Sequence, residues 1–522
     1  MVQKHNRLQH LVLTLLIIIL LVSGCQNLPT MGSEPGNEET KDLSQWKKAF
    51  QQYLPQGGFL IQPSQDGINL TPPPLVQQAD LDNDGVPELI AGYRVGEATV
   101  GVLVLKQENG HWSKLWEGRG EGPGLTLLHL ADITGNGTPE LLVGWGLGSD
   151  AGNQLNIVTL HNEVRTLTEL PYHRLDIINF PGDYGCDGKT KLAVWNQVNN
   201  NAYEVEVYRY ALGKLFPAID IYRDYFPKVV EYYEQQVLAM PDHSSLWYYL
   251  ADAQLKSGRL EDALKSIARA EDFEPSPYPP GALAVLKGDV LLAQGKLQDA
   301  LKAYLELASF DPEGIDRRHK ARALYGLGRI KEKLSGITAN AAKADYKRAV
   351  DTDPSWLLPT LALERAGAVS LTHTLADYLS HLAPDKRTEG IAELGQFAKE
   401  HNINIQYVSQ TLGKERLRVI AADYAPADQP SNPVAHALFW WEGLSKGPVT
   451  CQVFYSAEAV YHGLDQSCTL KDISLSLDSD NNVQATLIYT QNKNKSPQDI
   501  RYQLSLENDG HWQVISRDLP QQ

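Results

Sequence analysis

The chain has 522 residues, which is too long for one hydrophobic core and predicts roughly three domains. Its formal charge of −16 at pH 7 excludes the basic surface that nucleic-acid binding requires. The composition, with 43% hydrophobic and 21% charged residues, is ordinary for a globular protein. We therefore expect several folded domains and no nucleic-acid partner.

The N-terminus has the pattern of an export signal. Two basic residues precede an apolar run from Leu11 to Val22, which is shorter than the roughly 20 residues that a membrane-spanning helix needs. The run ends in Val22-Ser23-Gly24-Cys25, which resembles the lipobox of bacterial lipoproteins. The resemblance implies removal of residues 1–24 and lipidation of Cys25. The alternatives are an incidental cysteine after an ordinary signal peptide and an uncleaved anchor.

Lipidation would attach the chain to the extracytoplasmic face of the cell membrane, or to the outer membrane if the host cell has two membranes. Residues 25–42 follow the signal and are rich in Gly, Pro, Ser and Glu, which predicts a disordered tether. The membrane is therefore one expected partner, and the chain would reach it through the lipid on Cys25.

A nine-residue motif occurs twice in the next segment. It runs from Asp80 to Glu88 and returns 52 positions later (132 − 80) from Asp132 to Glu140, each time before an apolar, strand-like stretch. Oxygen-bearing side chains occupy motif positions 1, 3, 5 and 9 and glycine occupies position 6, which is the pattern of a calcium-binding loop. The predicted calcium ligands, with the main chain at position 7 included, are Asp80, Asp82, Asp84, Val86 and Glu88 in the first loop and Asp132, Thr134, Asn136, Thr138 and Glu140 in the second.

The number of carboxylates falls along the series, so calcium affinity should fall with it. The first loop offers four carboxylates and the second offers two. A third copy, residues 183–191, has Lys191 at position 9, and its ammonium group would take the place of the cation. A bound ion would hold the loop and would not activate water. The alternative is an Asx-rich turn without a metal.

The motif and its period near fifty residues resemble the FG-GAP and VCBS repeats of integrin-like propellers. The resemblance implies that residues 43–218 form a β-propeller-like domain whose blades carry calcium. A related outline around Asp478 predicts that residues 410–522 form a β-rich C-terminal domain. Two arrangements stay open for it, namely further blades of the same propeller, with the helical middle as an insert, or an independent β domain.

The middle of the chain, residues 219–368, shows helical periodicity. Ala251, Gly258, Ala263 and Pro275 fall at the spacing of a tetratricopeptide repeat, and the pattern returns 37 residues later (312 − 275). The resemblance implies an all-α solenoid of stacked helical hairpins with a groove that binds protein segments. The alternative is a solenoid that only braces the flanking β domains.

The lysines Lys256, Lys287 and Lys331 are candidate groove positions on the first helices of the repeats, although a solvated charged face is the commoner role. Residues 369–409 are predicted to form a helical linker to the C-terminal domain.

The C-terminal domain contains four aromatic residues that are candidates for stacking on sugar rings, namely Trp440, Trp441, Tyr455 and Tyr461. The usual role of such residues is the core of a β-sheet. Cell-wall or extracellular glycan therefore stays an alternative ligand.

The cysteines indicate neither a disulfide scaffold nor a zinc site. Cys451 and Cys468 are a candidate disulfide across neighbouring strands, and buried free thiols are the alternative. Phosphate-binding, serine-hydrolase and zinc-protease motifs are absent from the sequence. A hydrolase carried in residues 410–522 is a minor alternative, although the proximity of His462 and Cys468 in the sequence is poor evidence for a catalytic pair.

Together these features predict a multidomain, lipid-anchored, extracytoplasmic interaction protein that is not an enzyme and acts as a scaffold for envelope or secretion protein assemblies. Its expected cofactor is structural calcium, and its expected partners are the membrane and proteins bound in the helical groove.

Overall fold

The computed structural model describes residues 39–518 apart from several gaps, of which the longest are 181–188, 309–316, 389–402, 427–434, 456–467 and 492–497. The predicted signal peptide and Cys25 lie outside the described residues. Within the described ranges, five antiparallel sheets flank a helical middle, which confirms the predicted order of strand-rich, helical and strand-rich regions. No helix in these ranges is long and apolar enough to cross a membrane.

Three sheets follow one another in the N-terminal region. Their strands are β1 (Gly58–Ile61), β2 (Gln77–Ala79), β3 (Glu88–Val95), β4 (Thr99–Glu108), β5 (His111–Gly120), β6 (Gly124–Ala131), β7 (Glu140–Gly148), β8 (Gly152–Thr159), β9 (Arg165–Tyr172), β10 (Arg174–Ile178), β11 (Lys191–Asn199), β12 (Ala202–Ala211) and β13 (Lys214–Pro217). In the first sheet, β1 and β2 both pair with β3, and β4 and β5 follow as a meander. The second sheet, β6 to β9, and the third sheet, β10 to β13, are meanders in chain order.

The strands of these sheets carry apolar side chains on both faces, so each face has to be covered. Helix α1 (Glu39–Gln51) buries Phe50 against one face of the first sheet. The other face packs on the second sheet, where Val102 and Trp145 share a cluster, and the second packs on the third, where Ile157 and Val194 share another. The three sheets therefore form a stack that begins with a helix.

The chain between β1 and β2 covers the edges of the second and third sheets. Ser64 donates its backbone N–H to the Leu125 carbonyl of β6 at 2.9 Å. Ile68 forms an isolated parallel bridge with Leu175 of β10. Because an uncovered strand edge invites pairing with other chains, this segment protects two sheets while it joins them.

The helical middle consists of α2 (Tyr222–Ala239), α3 (Ser244–Lys256), α4 (Leu260–Glu271), α5 (Ala282–Ala293), α6 (Leu297–Ala308), α7 (Arg317–Ser335), α8 (Asn340–Thr352) and α9 (Leu357–His381). Gly258 and Gly295 follow α3 and α5 with φ angles of +84° and +75°, a left-handed conformation that glycine adopts without steric cost. The Arg259 N–H then donates to the Gln254 carbonyl at 2.8 Å and closes the end of α3. These glycines turn each hairpin at the positions that the repeat spacing predicts.

The third sheet and the first helices share one hydrophobic core. Trp195 and Val205 of the sheet pack in the same cluster as Phe226 of α2. At the junction, Arg209 of β12 donates two hydrogen bonds to the Asp220 carboxylate, at 3.0 and 2.8 Å, and both side chains are buried. A buried bidentate pair fixes direction as well as distance, so the helical middle has one orientation on the sheet.

Two sheets complete the chain. Their strands are β14 (Ile403–Leu412), β15 (Leu417–Pro426), β16 (Ala435–Trp441), β17 (Thr450–Tyr455), β18 (Cys468–Leu477), β19 (Val483–Gln491), β20 (Gln498–Leu506) and β21 (Trp512–Asp518). The fourth sheet, β14 to β17, places Phe439 against Leu379 of α9. Its opposite face packs Trp440 against Trp512 of the fifth sheet, β18 to β21.

The described strands do not close into a propeller. Helices cover the outer faces of the first and third sheets, and the C-terminal sheets pack on α9 and on each other. The arrangement of all five sheets in one propeller is therefore wrong for the described residues. The boundary expected at residue 368 falls inside α9, which continues to His381 because Leu375 and Leu379 are buried under the fourth sheet. Strand β14 begins at Ile403, within the predicted linker.

Replacing Phe50 by Ala should lower the free energy of unfolding by about 3–5 kcal/mol, because a fully buried ring leaves the core between α1 and the first sheet. Phe59→Ala in β1, where the ring is 53% exposed, is the matched control and should cost less than about 1 kcal/mol. Urea denaturation of the full chain measures both values. Equal losses would contradict the assignment of α1 as the cover of the first sheet.

Candidate functional site

The first motif forms a tight loop between β2 and β3. The Asp80 carboxylate accepts the N–H groups of Asp84 and Gly85 at 3.2 and 2.9 Å, and the Asp84 carboxylate accepts the Val86 N–H at 2.8 Å. Gly85 has a φ angle of +87°. The aspartates therefore shape the loop through Asx-type turns, and a glycine supplies the left-handed residue.

Three acidic side chains of this loop converge. One carboxylate oxygen from each of Asp80, Asp82 and Glu88 lies within 4.8 Å of the others. Glu88 is fully buried; its Oε2 accepts the Leu81 N–H at 2.7 Å, and its Oε1 has no hydrogen-bond partner in the described part of the chain. Burial raises the pKa of Glu88 to about 7. An unpartnered buried oxygen beside two further carboxylates fits a hard cation such as Ca²⁺.

A lysine that the motif does not contain meets the same cluster. The Lys106 ammonium group of β4 contacts the Asp82 carboxylate and lies 2.8 Å from Oδ2 of Asp84. The hydrogen bonds to Asp82 and Asp84 raise the pKa of Lys106. The pairing of Leu89 with Leu105 brings Lys106 level with the loop. In the sequence, Lys106 is a single lysine after the apolar residues of β4. Its contact with the loop follows only from the register of β3 and β4.

The second motif forms a similar loop between β6 and β7 and satisfies its carboxylates internally. Oε1 and Oε2 of Glu140 accept hydrogen bonds from the Thr134 hydroxyl and N–H, at 3.0 and 3.1 Å. Asp132 accepts backbone N–H groups at 2.6 to 3.0 Å, and Asn136 accepts the Thr138 N–H at 2.7 Å. Burial raises the pKa of Glu140 to about 7. Thr134 therefore donates its hydrogen bonds to the same Glu140 carboxylate that would have to bind a cation.

The third motif lies largely outside the described residues, which omit 183–188. Lys191 is described and fully buried, and its ammonium group donates to the carbonyls of Lys189 and Phe180 at 2.8 and 3.1 Å. The prediction that this group replaces a cation in the third loop stays a prediction.

The candidate disulfide joins residues of different sheets. Cys451 of β17 is partly buried, and burial raises the pKa of its thiol to about 11, which makes the thiol a poor nucleophile. Cys468 begins β18 of the fifth sheet, and its side chain lies outside the described residues, as does His462. The pairing of Cys451 with Cys468 stays a prediction.

Two of the four aromatic residues proposed for sugar stacking lie in the hydrophobic core. Trp440 is 7% exposed and Trp441 is 3% exposed, in the clusters on opposite faces of the fourth sheet. Tyr461 and the side chain of Tyr455 lie outside the described residues. The two tryptophans therefore supply no exposed platform for a glycan.

The helical hairpins pack through glycines that admit a tyrosine ring. A Cβ atom on Gly288 of α5 or Gly326 of α7 would lie 2.6 or 2.4 Å from the ring of Tyr304 of α6. The Tyr304 hydroxyl donates to the Asp289 carboxylate at 2.5 Å, which Arg322 of α7 also contacts at 2.6 Å. One aromatic ring and one ion pair thus fix α5, α6 and α7 together.

The candidate groove lysines all have acidic partners. Lys256 lies 3.0 Å from Asp252 and 3.6 Å from Glu206 of β12, and it is half-buried. Lys287 pairs with Glu271 at 3.0 Å, and Lys331 contacts Asp345. The Lys256 contact shows that the first repeat is tied electrostatically to the third sheet.

The helical region matches a known family. A model of the tetratricopeptide repeat matches residues 228–280 and 285–355. The helices within these two ranges form a tetratricopeptide-repeat region. No curated protein matches the chain. The tetratricopeptide repeat is a non-catalytic module for protein interaction.

Gly326→Ala should destabilise the chain by about 1–2 kcal/mol, because the new methyl group meets the buried Tyr304 ring and outweighs the helix propensity gained. Gly367→Ala in α9, where nothing lies within 4 Å of the added Cβ, should instead stabilise it by up to about 1 kcal/mol. Thermal unfolding of the full chain compares the two variants. Stabilisation by both would show that the glycine at 326 is not required for packing.

Proposed function

We propose that the chain is a lipid-anchored, extracytoplasmic, non-enzymatic scaffold for protein assemblies of the cell envelope. The observation that carries the proposal is the tetratricopeptide match across residues 228–355, since such repeats generally bind protein partners. The signal-peptide pattern and the lipobox around Cys25 support the anchor.

The packing of the repeats supports a rigid binding surface. The third sheet covers one end of the helical stack through the cluster that contains Phe226, and the fourth sheet covers the other end through Leu379. Neither end is left as an open apolar face within the described residues. A partner would therefore meet a preformed surface and would not need to order it, which reduces the entropic cost of binding.

We further propose that the first loop binds a structural calcium ion. Asp80, Asp82 and Glu88 would hold it, with Asp84 and the Val86 carbonyl as further oxygen ligands. The convergence of the three carboxylates and the unpartnered Oε1 of Glu88 support this site over the second, where Thr134 already meets Glu140. The ion would neutralise the acidic loop and hold the entry to β3.

Lys106→Met should tighten calcium binding to the full chain about ten-fold, because it removes a positive charge that competes for Asp82 and Asp84. Lys114→Met is the matched control, since Lys114 of β5 pairs with Glu117 at 2.7 Å outside the loop and should leave calcium binding unchanged. Isothermal titration of chelator-treated protein with calcium measures both affinities. Asp82→Ala should abolish the binding.

Two results would contradict the calcium proposal. Calcium binding that survives Asp82→Ala would place the ion elsewhere, and wild-type protein that shows no heat of binding would leave the loop as an Asx-type turn. Equal affinities of Lys106→Met and the wild type would show that the lysine does not compete with the ion.

Photo-crosslinking from intact cells tests the scaffold. A photo-crosslinking residue in place of Lys287 on α5, 43% exposed, should capture a defined envelope protein, whereas one in place of Lys471 on β18, 55% exposed, should not. Cys25→Ala should shift the chain out of the membrane fraction and reduce the capture. Capture of the same protein from both positions, or from position 471 alone, would contradict binding at the repeats.

A further inference from the structure

A small pocket lies where the third sheet meets α2. Its volume is about 330 Å³, and it is lined by Gly67, Ile68, Arg174, Asp176, Trp195, Lys228 and Tyr232. The residues come from three separate parts of the chain: the segment before β2, the sheet strands β10 and β11, and the helix. None of these residues occupies a motif position found in the sequence. The pocket is separate from the first acidic loop and from the exposed surface of the repeats.

Arg174 is the central charged group of the pocket. Its guanidinium carbon lies 4.4 Å from the ring centre of Tyr203, 5.3 Å from that of Tyr232 and 6.0 Å from that of Trp195. No carboxylate within the described ranges forms an ion pair with it, whereas most exposed arginines of the helical middle have such a partner. Aromatic faces hold a guanidinium by cation–π attraction and do not neutralise its charge.

The other polar groups of the pocket are fixed by one hydrogen-bond chain. The Trp195 indole N–H donates to the Tyr225 hydroxyl at 2.8 Å, and that hydroxyl donates to Oδ2 of Asp176 at 2.6 Å. The Lys228 ammonium lies 2.6 Å from the same oxygen. The charges of Asp176 and Lys228 therefore neutralise each other. The charge of Arg174 remains, so the pocket carries a net charge of +1.

The roof of the pocket is held by the backbone. Gly67 adopts a φ angle of +70°, and a Cβ atom there would lie 2.3 Å from the His173 carbonyl oxygen. The Leu175 N–H donates to the Gly67 carbonyl at 3.0 Å. Only glycine fits this close approach, so the roof is a built part of the wall and not an incidental contact.

We propose that this pocket binds a small ligand that carries a carboxylate on a ring or other apolar body. The Arg174 guanidinium donates to the carboxylate, and the parts of Trp195 and Tyr232 that line the pocket contact the body. Arginine suits this role because its planar fork matches both oxygens of a carboxylate. The pocket volume is at the lower end of ligand sites, which limits the bound part to about the size of an amino acid or one sugar ring.

The negative charge of the whole chain favours a site with a local positive charge as the place where an anion binds. With a formal charge of −16, the protein repels small anions in general, so a carboxylate is retained only where a local positive charge is presented. The carboxylate has two possible sources, a free small molecule or the acidic side chain of an extended peptide. Both place the same group on Arg174, and they differ in what extends beyond the pocket.

Titration of the full chain with matched pairs of ligands tests the proposal. Benzoate and glucuronate should bind at least ten-fold more tightly than benzamide and glucuronamide, which share their shape and lack the charge. Arg174→Met should remove this preference. Arg269→Met is the matched control, since Arg269 of α4 contacts the Phe273 ring and pairs with Asp272 away from the pocket, and it should retain the preference.

A second measurement uses the wild type and does not depend on the folding of a variant. Phenylglyoxal modifies exposed arginines, and benzoate should protect Arg174 from it in a peptide map while benzamide does not. Protection by a capped Gly-Glu-Gly peptide but not by Gly-Gln-Gly, at lower concentration than benzoate, would assign the carboxylate to a peptide. Tighter binding of benzoate or glucuronate would assign it to a small molecule. Equal binding of acids and amides, or protection by neither, would overturn the proposal.

Discussion

The structure depends on one constraint: most of its sheets are apolar on both faces. A strand whose successive side chains are all buried has no face for water, so each sheet needs a neighbour on either side. The chain meets this requirement in sequence order. Helix α1 covers the first sheet, the first three sheets cover each other, and α2 covers the third. Helix α9 then covers the fourth sheet, which in turn covers the fifth.

This layered packing explains why repeats of two different kinds coexist in one chain. A short helical solenoid has two apolar ends, and isolated solenoids need capping repeats with a polar outer face. In this chain the third and fourth sheets provide the caps, so no polar cap is needed. The Arg209–Asp220 pair and the Lys256–Glu206 contact lie between the third sheet and the helices. They fix the orientation of the helices on the sheet, which apolar burial alone would specify less closely. Any partner held on the helices is therefore held in fixed relation to the sheets.

The sequence was informative where a feature depends on neighbouring residues and uninformative where it depends on packing. The positions of the first two loops, the repeat glycines and the order of β and α regions follow from local spacing, and the structure agrees with these positions. The ammonium of Lys106 beside Asp82 could not be predicted, since it requires the register of β3 and β4. The boundary expected at residue 368 falls within α9, because the cover that this helix forms for the fourth sheet is a tertiary contact. Arg174 gave no signal, because its aromatic neighbours come from different elements.

The segment between β1 and β2 connects the two candidate ligand sites. It leaves the first sheet at Ile61, donates to β6 through Ser64, and forms the roof of the pocket at Gly67 and Ile68. It then returns to β2, which leads directly into the acidic loop that begins at residue 80. Backbone hydrogen bonds from Ser64 and Gln65 to the Leu125 and Thr126 carbonyls, and from Leu175 to the Gly67 carbonyl, hold the segment on the second and third sheets. The same stretch of chain that joins the first sheet to the second and third therefore also joins the acidic loop to the pocket.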